Sequence, residues 1–152
     1  MTVSDPGRLI ADFGSLIGIP TLCLDERGSC SLVFDQKYRV TLALDSARGR
    51  FVLHCEVAAL PVGLGKSALL ALLQANYLWQ GAQGATLSID PPGQSLVLMY
   101  SVALAGAARD DINHAVESLL DAADIWSRYL ESNASTRSAA EATPLRNFGI
   151  KA

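Results

Sequence analysis

The 152-residue sequence contains few of the residues on which catalysis and metal binding usually depend. Its histidines are His54 and His114, and its three cysteines are odd in number and lack the spacing of metal ligands. Because free thiols persist in reducing compartments, Cys23, Cys30 and Cys55 are typical of a cytosolic protein. We therefore expect neither a metal nor a cofactor.

Positive charge and long apolar runs are also scarce. The 12 Lys and Arg residues are outnumbered by 15 Asp and Glu residues, which gives a net charge of -3 and a pI of about 5.2. Because nucleic-acid binding requires a basic surface, we expect no nucleic-acid partner. The sequence contains no uninterrupted apolar run of about 18 residues, so we expect no membrane span. The N-terminus also lacks the basic and apolar regions of a signal peptide.

The rest of the composition is that of a globular protein. Hydrophobic residues make up 50% of the chain and charged residues 18%, which is enough for one domain with a substantial core. After Ser132 the composition shifts to Ser, Ala, Thr and Asn. This shift predicts one domain over residues 1–132 and a flexible C-terminal tail over residues 133–152.

Hydrophobic periodicity predicts three helices and five strands. The helices are expected at about Pro6–Ile17, Lys66–Trp79 and Arg109–Glu131. The strands are expected at about Ser29–Asp35, Tyr38–Asp45, Arg50–Val57, Ala85–Ile89 and Leu96–Val102. Short turns make the first three strands an antiparallel meander. The order α-β-β-β-α-β-β-α predicts an α+β fold, with an antiparallel sheet packed against helices.

The helix predicted at Lys66–Trp79 is apolar around most of its circumference. A surface helix of a small domain needs only one apolar stripe. Here more than one face is covered by apolar side chains, namely Leu69, Leu70, Leu72, Leu73, Tyr77, Leu78 and Trp79. We interpret this helix as a dimerising element whose second cover comes from another copy of the chain.

The segment Gly63-Leu-Gly65-Lys66-Ser67 lies between a strand and a helix, where a phosphate-binding loop would lie. The full motif requires glycine at the position of Leu60, and the following Pro61 has no backbone N–H to donate. The neighbouring strands are also hairpin-linked rather than parallel. Lys66 and Ser67 are explained more simply as the start of the helix, and a small nucleotide-binding protein using Gly65-Lys66-Ser67 is the weaker alternative.

The two histidines have no evident catalytic partners. His54 precedes Cys55, but adjacent residues of a strand point to opposite faces and cannot form a dyad. His114 shares a polar helix face with Asp110 and Asp111, where it is most simply solvated. We therefore assign no catalytic residue and do not expect an enzyme.

Three regions of the chain, taken in order, carry a resemblance to a known family. The first region is Leu24–Asp35 followed by Val40-Thr-Leu42. The second is Leu70–Asn76 followed by Gly81, Gly84-Ala-Thr-Leu87 and Asp90. The third is Leu119–Trp126. These regions resemble the first hairpin, the second helix with the fourth strand, and the last helix of the Tir chaperone (CesT-type) family. This family comprises the class I chaperones of bacterial type III secretion. The resemblance covers about Leu9 to Leu130.

The resemblance implies a non-catalytic homodimer in the bacterial cytoplasm. Such a chaperone binds the N-terminal segment of a secreted effector in extended form, which keeps the effector soluble and competent for secretion. Apolar effector side chains would occupy grooves formed by the first helix and the sheet, and the effector could add a strand to the sheet edge. The secretion ATPase is a further candidate partner. An adaptor for a non-secreted protein stays open, because a fold does not determine a function.

Carried onto this sequence, the resemblance assigns two sets of contact residues. The expected dimer contacts are Leu70, Leu73, Tyr77, Trp79, Leu87 and Ile89. The expected effector contacts are Ile10, Phe13, Ile17, Val33 and Val52. Packing in the protein's own core is the competing explanation for each effector contact. If Phe13 contacts the effector, Phe13→Asp would abolish partner binding and leave a folded dimer.

Overall fold

A computed structural model describes residues 2–142 of the chain, with side chains described as far as residue 134. Its helices are α1 (Pro6–Leu16), α2 (Lys66–Ala75) and α3 (Arg109–Ala142), and a 3-10 helix, Tyr77–Ala82, follows α2. Its strands are β1 (Ser29–Phe34), β2 (Tyr38–Asp45), β3 (Arg50–Ala59), β4 (Thr86–Ile89) and β5 (Ser95–Ala103). The predicted α+β class and element order are confirmed.

The strands form one five-stranded antiparallel sheet in the spatial order β1-β2-β3-β5-β4. The first three strands are the predicted meander. The connection through α2 then places β4 at the far edge, and β5 returns to pair with both β3 and β4. A change of register between Glu56 and Ala58 introduces a bulge near the end of β3. The sheet therefore has two edge strands, β1 and β4.

The core lies between one face of the sheet and α3. This helix packs against β2, β3 and β5, and α1 packs against α3. Phe51 and Leu53 of β3 and Leu98 of β5 are completely buried, as are Ile112 and Leu119 of α3. Since strand side chains alternate between faces, the residues between these buried positions point to the other face of the sheet.

The second helix ends earlier than predicted. The sequence indicated a helix to Trp79, but α2 ends at Ala75, and Leu78 and Trp79 adopt left-handed φ angles of 52° and 56°. The close approach of Gly81 to α2 accompanies this break, because a Cβ atom on Gly81 would lie 2.7 Å from the Ala75 Cα. The prediction of a continuous helix was wrong here, since tertiary contacts override helix propensity.

The third helix ends later than predicted. It was expected to end at about Glu131, but α3 continues to Ala142. Once a helix exists, each added residue gains one hydrogen bond, and the Asn133 side chain also donates to the Tyr129 carbonyl. The first part of the predicted tail is therefore helical, and residues 143–152 lie outside the described residues. The domain boundary at residue 132 stays a prediction.

Two residues assigned to effector binding lie in the core. Ile10 and Phe13 are 0% exposed, because α1 turns this face towards the rest of the hydrophobic core. A completely covered side chain has no surface to offer a partner in this conformation. Ile17 is half-buried and also packs against the core. The spacing of apolar residues on α1 therefore reflects core packing for Ile10 and Phe13.

We therefore expect Phe13→Asp to prevent stable folding instead of leaving a folded dimer. The change removes a buried ring and buries a carboxylate without a partner, which should lower the free energy of unfolding by about 4 kcal/mol or more. Leu16→Asp is the matched control, because Leu16 lies on the same helix and is 41% exposed. Urea unfolding followed by circular dichroism measures both variants. Equal stability of the two variants would contradict the core position of Phe13.

Candidate binding surfaces

Exposed apolar side chains concentrate around α2, the 3-10 helix and the end of β4. We call this region the α2 surface, and its members are Leu69, Leu70, Leu73, Tyr77, Leu78, Trp79 and Ile89. Leu73 is 69% exposed and Tyr77 is 75% exposed. Five of the six residues predicted at a dimer interface belong to this region. A cluster of this kind indicates a surface that another protein covers.

The sixth predicted dimer residue, Leu87, occupies a different position. It is buried on β4 and forms part of a cavity of about 350 Å³ between α2 and β4. Leu69 and Leu73 of α2 and Ile89 of β4 also line this cavity. Leu87 can therefore contact a side chain that enters the cavity, but it is not part of the exposed area.

The 3-10 helix forms a corner that α3 holds in place. The Trp126 indole Nε1 of α3 donates a hydrogen bond to the Gly81 carbonyl at 3.0 Å. The Gly84 backbone N–H donates to the Trp79 carbonyl, also at 3.0 Å. Left-handed backbone costs a residue other than glycine roughly 1–2 kcal/mol, so these contacts compensate for strain at Leu78 and Trp79. The corner keeps both side chains exposed.

The second candidate region is the sheet face opposite α3. We call it the open face, and its apolar members are Val33, Val52, Val97 and Met99. Val33 is 54% exposed, and Val52 is partly exposed. These two side chains point outward as predicted, and Val97 and Met99 were not predicted as contacts. Val97 and Met99 alternate with Leu96 and Leu98 along β5, and this alternation could have identified both residues.

Two grooves cross the open face. One groove, of about 480 Å³, is lined by Lys37, Arg39, Thr41, His54, Glu56, Val57, Ala58, Asp90, Ser95 and Val97. The other, of about 490 Å³, is lined by Arg50, Val52, Trp79, Gly84, Thr86, Met99, Tyr100 and Ser101. Val52 was predicted to bind an effector and Trp79 to contact a second copy. The structure therefore brings together residues that were assigned to separate surfaces.

The charged ends of the open face are held by local contacts. At one end, Arg50 Nε donates to Asp45 Oδ2 at 3.1 Å, and the pKa of Asp45 is lowered by the hydrogen bonds from Arg50 and Arg48. At the other end, the Ser95 hydroxyl donates to Glu56 Oε1 at 2.8 Å.

On the side of the sheet that faces α3, the Tyr38 hydroxyl donates to Asp124 Oδ1 at 2.8 Å, which ties the first hairpin to α3.

The potential reactive groups are separated. His54 is exposed on the open face, whereas Cys55 is completely buried on the other face, as strand alternation predicted. Burial raises the pKa of the Cys30 and Cys55 thiols to about 11, so both are protonated at neutral pH. Among the described residues, no three His, Cys, Asp or Glu side chains are placed to hold a metal ion.

The segment resembling a phosphate-binding loop has a structural role. Helix α2 begins at Lys66, with Gly65 in extended conformation immediately before it, so the interpretation of Lys66 and Ser67 as a helix start is confirmed. The strands on either side, β3 and β4, each pair antiparallel with β5. None of the helices within residues 2–142 has the length and apolar character needed to cross a membrane.

The fold is that of the type III secretion chaperones. The structure of the Yersinia pestis type III secretion chaperone SycH in complex with a fragment of YscM2 matches with a TM-score of 0.66 at 17% identity, covering 80% of this chain and 98% of that chain. The HopA1–SchA chaperone–effector complex also matches with a TM-score of 0.66, at 22% identity, covering 82% of this chain and 91% of that chain. At these identities, the likeness concerns the fold.

The chain belongs to the Tir chaperone protein (CesT) family, whose model matches residues 8–127. The transcriptional anti-antiactivator ExsC of Pseudomonas aeruginosa is 33% identical over 143 residues, which are 94% of this chain and 97% of ExsC. The crystal structure of the ExsC–ExsE complex matches with a TM-score of 0.71 and 32% identity, covering 82% of this chain and 92% of that chain. The family resemblance seen in the sequence is confirmed.

The corner that presents Leu78 and Trp79 should depend on the absence of a side chain at Gly81. In Gly81→Ala, the new methyl group would meet Ala75 Cα at 2.7 Å and Ala75 Cβ at 2.9 Å. We expect the free energy of unfolding to fall by roughly 1–3 kcal/mol. Gly7→Ala is the matched control, because Gly7 lies within α1 and a Cβ atom added there would meet only Asp5 Oδ1, at an ordinary contact distance of 3.5 Å. Thermal unfolding of both variants measures the difference, and an equal effect would contradict this packing.

Proposed function

We propose that this chain is a non-catalytic cytoplasmic chaperone that binds a type III secreted protein before secretion. The observation that carries this proposal is the similarity to ExsC along nearly the whole of both chains, together with the crystal structure of ExsC bound to the protein ExsE. The exposed apolar regions on α2 and on the open face support a protein ligand. This function requires no catalytic group.

The working unit is a homodimer that forms through the α2 surface. Tyr77 and Trp79 supply aromatic side chains of the kind that dominate stable interfaces, and Leu73 adds exposed apolar area beside them. The cavity beside Leu87 can receive an apolar side chain from the second copy. A stable homodimer interface buries on the order of 2,000 Å² in total, and the seven exposed apolar residues of the α2 surface provide its centre.

The partner binds as an extended N-terminal segment across the open face. An extended chain places alternate side chains on one side, so its apolar residues can contact Val33, Val52 and Met99. Of the three α1 residues assigned to the partner, Ile17 keeps some exposed surface. A partner held in this form exposes less apolar surface to other molecules, and it is delivered unfolded to the secretion apparatus. The secretion ATPase is the candidate receptor for the complex.

A second candidate function is regulatory. ExsC is named a transcriptional anti-antiactivator, and its identity with this chain exceeds that of the chaperone SycH. A protein with this activity would bind an antiactivator and thereby permit transcription. The partner would then be a non-secreted protein, as in the adaptor alternative that the sequence left open. The same apolar surfaces would serve this function, so the identity of the partner distinguishes the two proposals.

We expect Leu73→Asp to convert the dimer to a folded monomer. A carboxylate at a buried interface position is desolvated without a partner, which should weaken the dimer at least about 100-fold. Val62→Asp is the control, because Val62 is an exposed valine outside the α2 surface. Size exclusion with light scattering measures the mass, and circular dichroism checks folding. A Leu73→Asp variant that remains dimeric would contradict this interface.

We expect the chain to form a soluble complex when co-expressed with the N-terminal segment of a secreted protein encoded next to it. Val33→Asp should weaken this complex at least about tenfold, because it places a charge among apolar contacts. Ile125→Asp on α3 is the control, since Ile125 is exposed but lies outside both regions. Isothermal titration calorimetry measures both variants.

Two results would separate or contradict the functional proposals. Binding to the product of a neighbouring antiactivator gene, without binding to the secreted protein, would favour the regulatory function. Binding that is unaffected by Val33→Asp would contradict the assignment of the open face.

A further inference from the structure

The two edges of the sheet differ in whether their backbone groups are free to pair. In an antiparallel ladder, every second residue of an edge strand turns its N–H and C=O away from the neighbouring strand. These groups can pair with a strand from another molecule. The contacts around β1 and β4 show which of these groups already have partners within the chain.

At the β4 edge, an asparagine side chain takes the place of a neighbouring strand. Leu87 N–H donates to Asn76 Oδ1 at 2.8 Å, and Asn76 Nδ2 donates to the Leu87 carbonyl at 3.0 Å. A side-chain amide carries the same donor and acceptor as a peptide group. Asn76 therefore satisfies both outward backbone groups of Leu87, which is one of the two outward positions of this short strand, the other being Ile89.

At the β1 edge, the chain satisfies only the first outward position. Ser29 N–H donates to Asp25 Oδ1, and the Ser29 carbonyl accepts from Asp25 N–H, both at 2.8 Å. Because Ser29 faces away from β2, Ser31 and Val33 also do so by alternation. Both residues are exposed, so one N–H and one C=O at each of them can pair with an added strand.

We propose that Asn76 is a specificity-determining residue that closes the β4 edge and confines strand addition to Ser31 and Val33 of β1. The inference rests on the proposed function for its ligand, which is an extended segment of the partner protein. A segment that pairs with β1 can place an apolar side chain beside Val33 on the open face. The neighbours of Val33 on this face include Ser31 of β1 and Thr41 of β2, which are polar. Their hydroxyl groups hydrogen-bond to each other at 2.8 Å.

This arrangement limits each chain to one added strand. It also prevents a further strand from pairing with Leu87 of β4, beside the α2 surface. Asn76 lies between α2 and the 3-10 helix, and its carbonyl accepts from Trp79 N–H at 3.0 Å. The residue that closes the edge therefore also fixes the corner that carries Trp79.

Amide hydrogen exchange of the monomer expected for Leu73→Asp tests the closure of β4 without a second copy or any other partner. In this background, we expect the Leu87 amide to be protected while Asn76 is present and to exchange at least tenfold faster when Asn76→Ala is added, while the Leu53 amide in the core is unchanged. The Ser31 and Val33 amides should exchange rapidly in both proteins. Asn113→Ala is the control, because the Asn113 side chain bonds only Glu117 on the exposed face of α3.

Unchanged exchange of the Leu87 amide in Asn76→Ala would overturn the closure. If Asn76→Ala does not fold, Asn76→Ser replaces it, because serine cannot reach both backbone groups of Leu87. Slow exchange of Ser31 and Val33 in the free chain would overturn the assignment of an open β1 edge.

The same measurement on the complex with the co-expressed N-terminal segment tests the position of the added strand. We expect Ser31 and Val33 to become protected and Leu87 to stay as it was. Val33→Pro, which removes the N–H at an edge position that tolerates proline, should weaken the complex at least tenfold. New protection at Ile89 without protection at Ser31 would overturn the proposal. If the segment does not bind at all, the proposed function fails, and the exchange of the free chain still decides whether Asn76 closes β4.

Discussion

The structure depends on a mismatch between the apolar surface of α2 and the core available to cover it. The sheet face that packs against α3 is already covered, since Phe51 and Leu98 of the sheet and Leu119 of α3 are completely buried there. Helix α2 lies beside β4 at the edge of the sheet, where it can bury only Ala68, Leu72 and Ala75. Its remaining leucines and the aromatic residues that follow stay exposed. Burial of apolar area is the dominant favourable term in association, so this excess favours a partner.

The corner after α2 connects the two candidate regions. Trp126 holds it against α3 through Gly81, and Asn76 holds it against β4 through Leu87. The result is that Trp79 contributes to the α2 surface and also lines a groove of the open face. The two candidate regions therefore share a structural element. A change that loosens the corner should affect both, because neither region has an independent support there.

Sequence patterns predicted the parts of the fold that depend on local information. Val40 and Leu42 alternate with Arg39 and Thr41 as a half-buried strand requires, and the flanking strands alternate in the same way. The meander and the outward direction of Val33 and Val52 were therefore predictable. The end of α2 was not, because it accompanies the approach of Gly81 to Ala75, which only the folded chain brings together. Ile10 and Phe13 show a related difficulty, since periodicity identifies an apolar face but not what covers it. Whether that face is exposed depends on tertiary packing, which periodicity does not contain.

Sedimentation equilibrium of the unaltered chain, over a range of concentrations, tests most directly whether the α2 surface is covered by a second copy. We expect one species with a mass twice the 16.1 kDa of a single chain, stable to dilution well below micromolar concentration. The mass of a single chain throughout this range would contradict dimer formation through the α2 surface. The exposed residues of α2 would then need another explanation, and the proposed arrangement of a dimer with partner segments on its open faces would no longer hold.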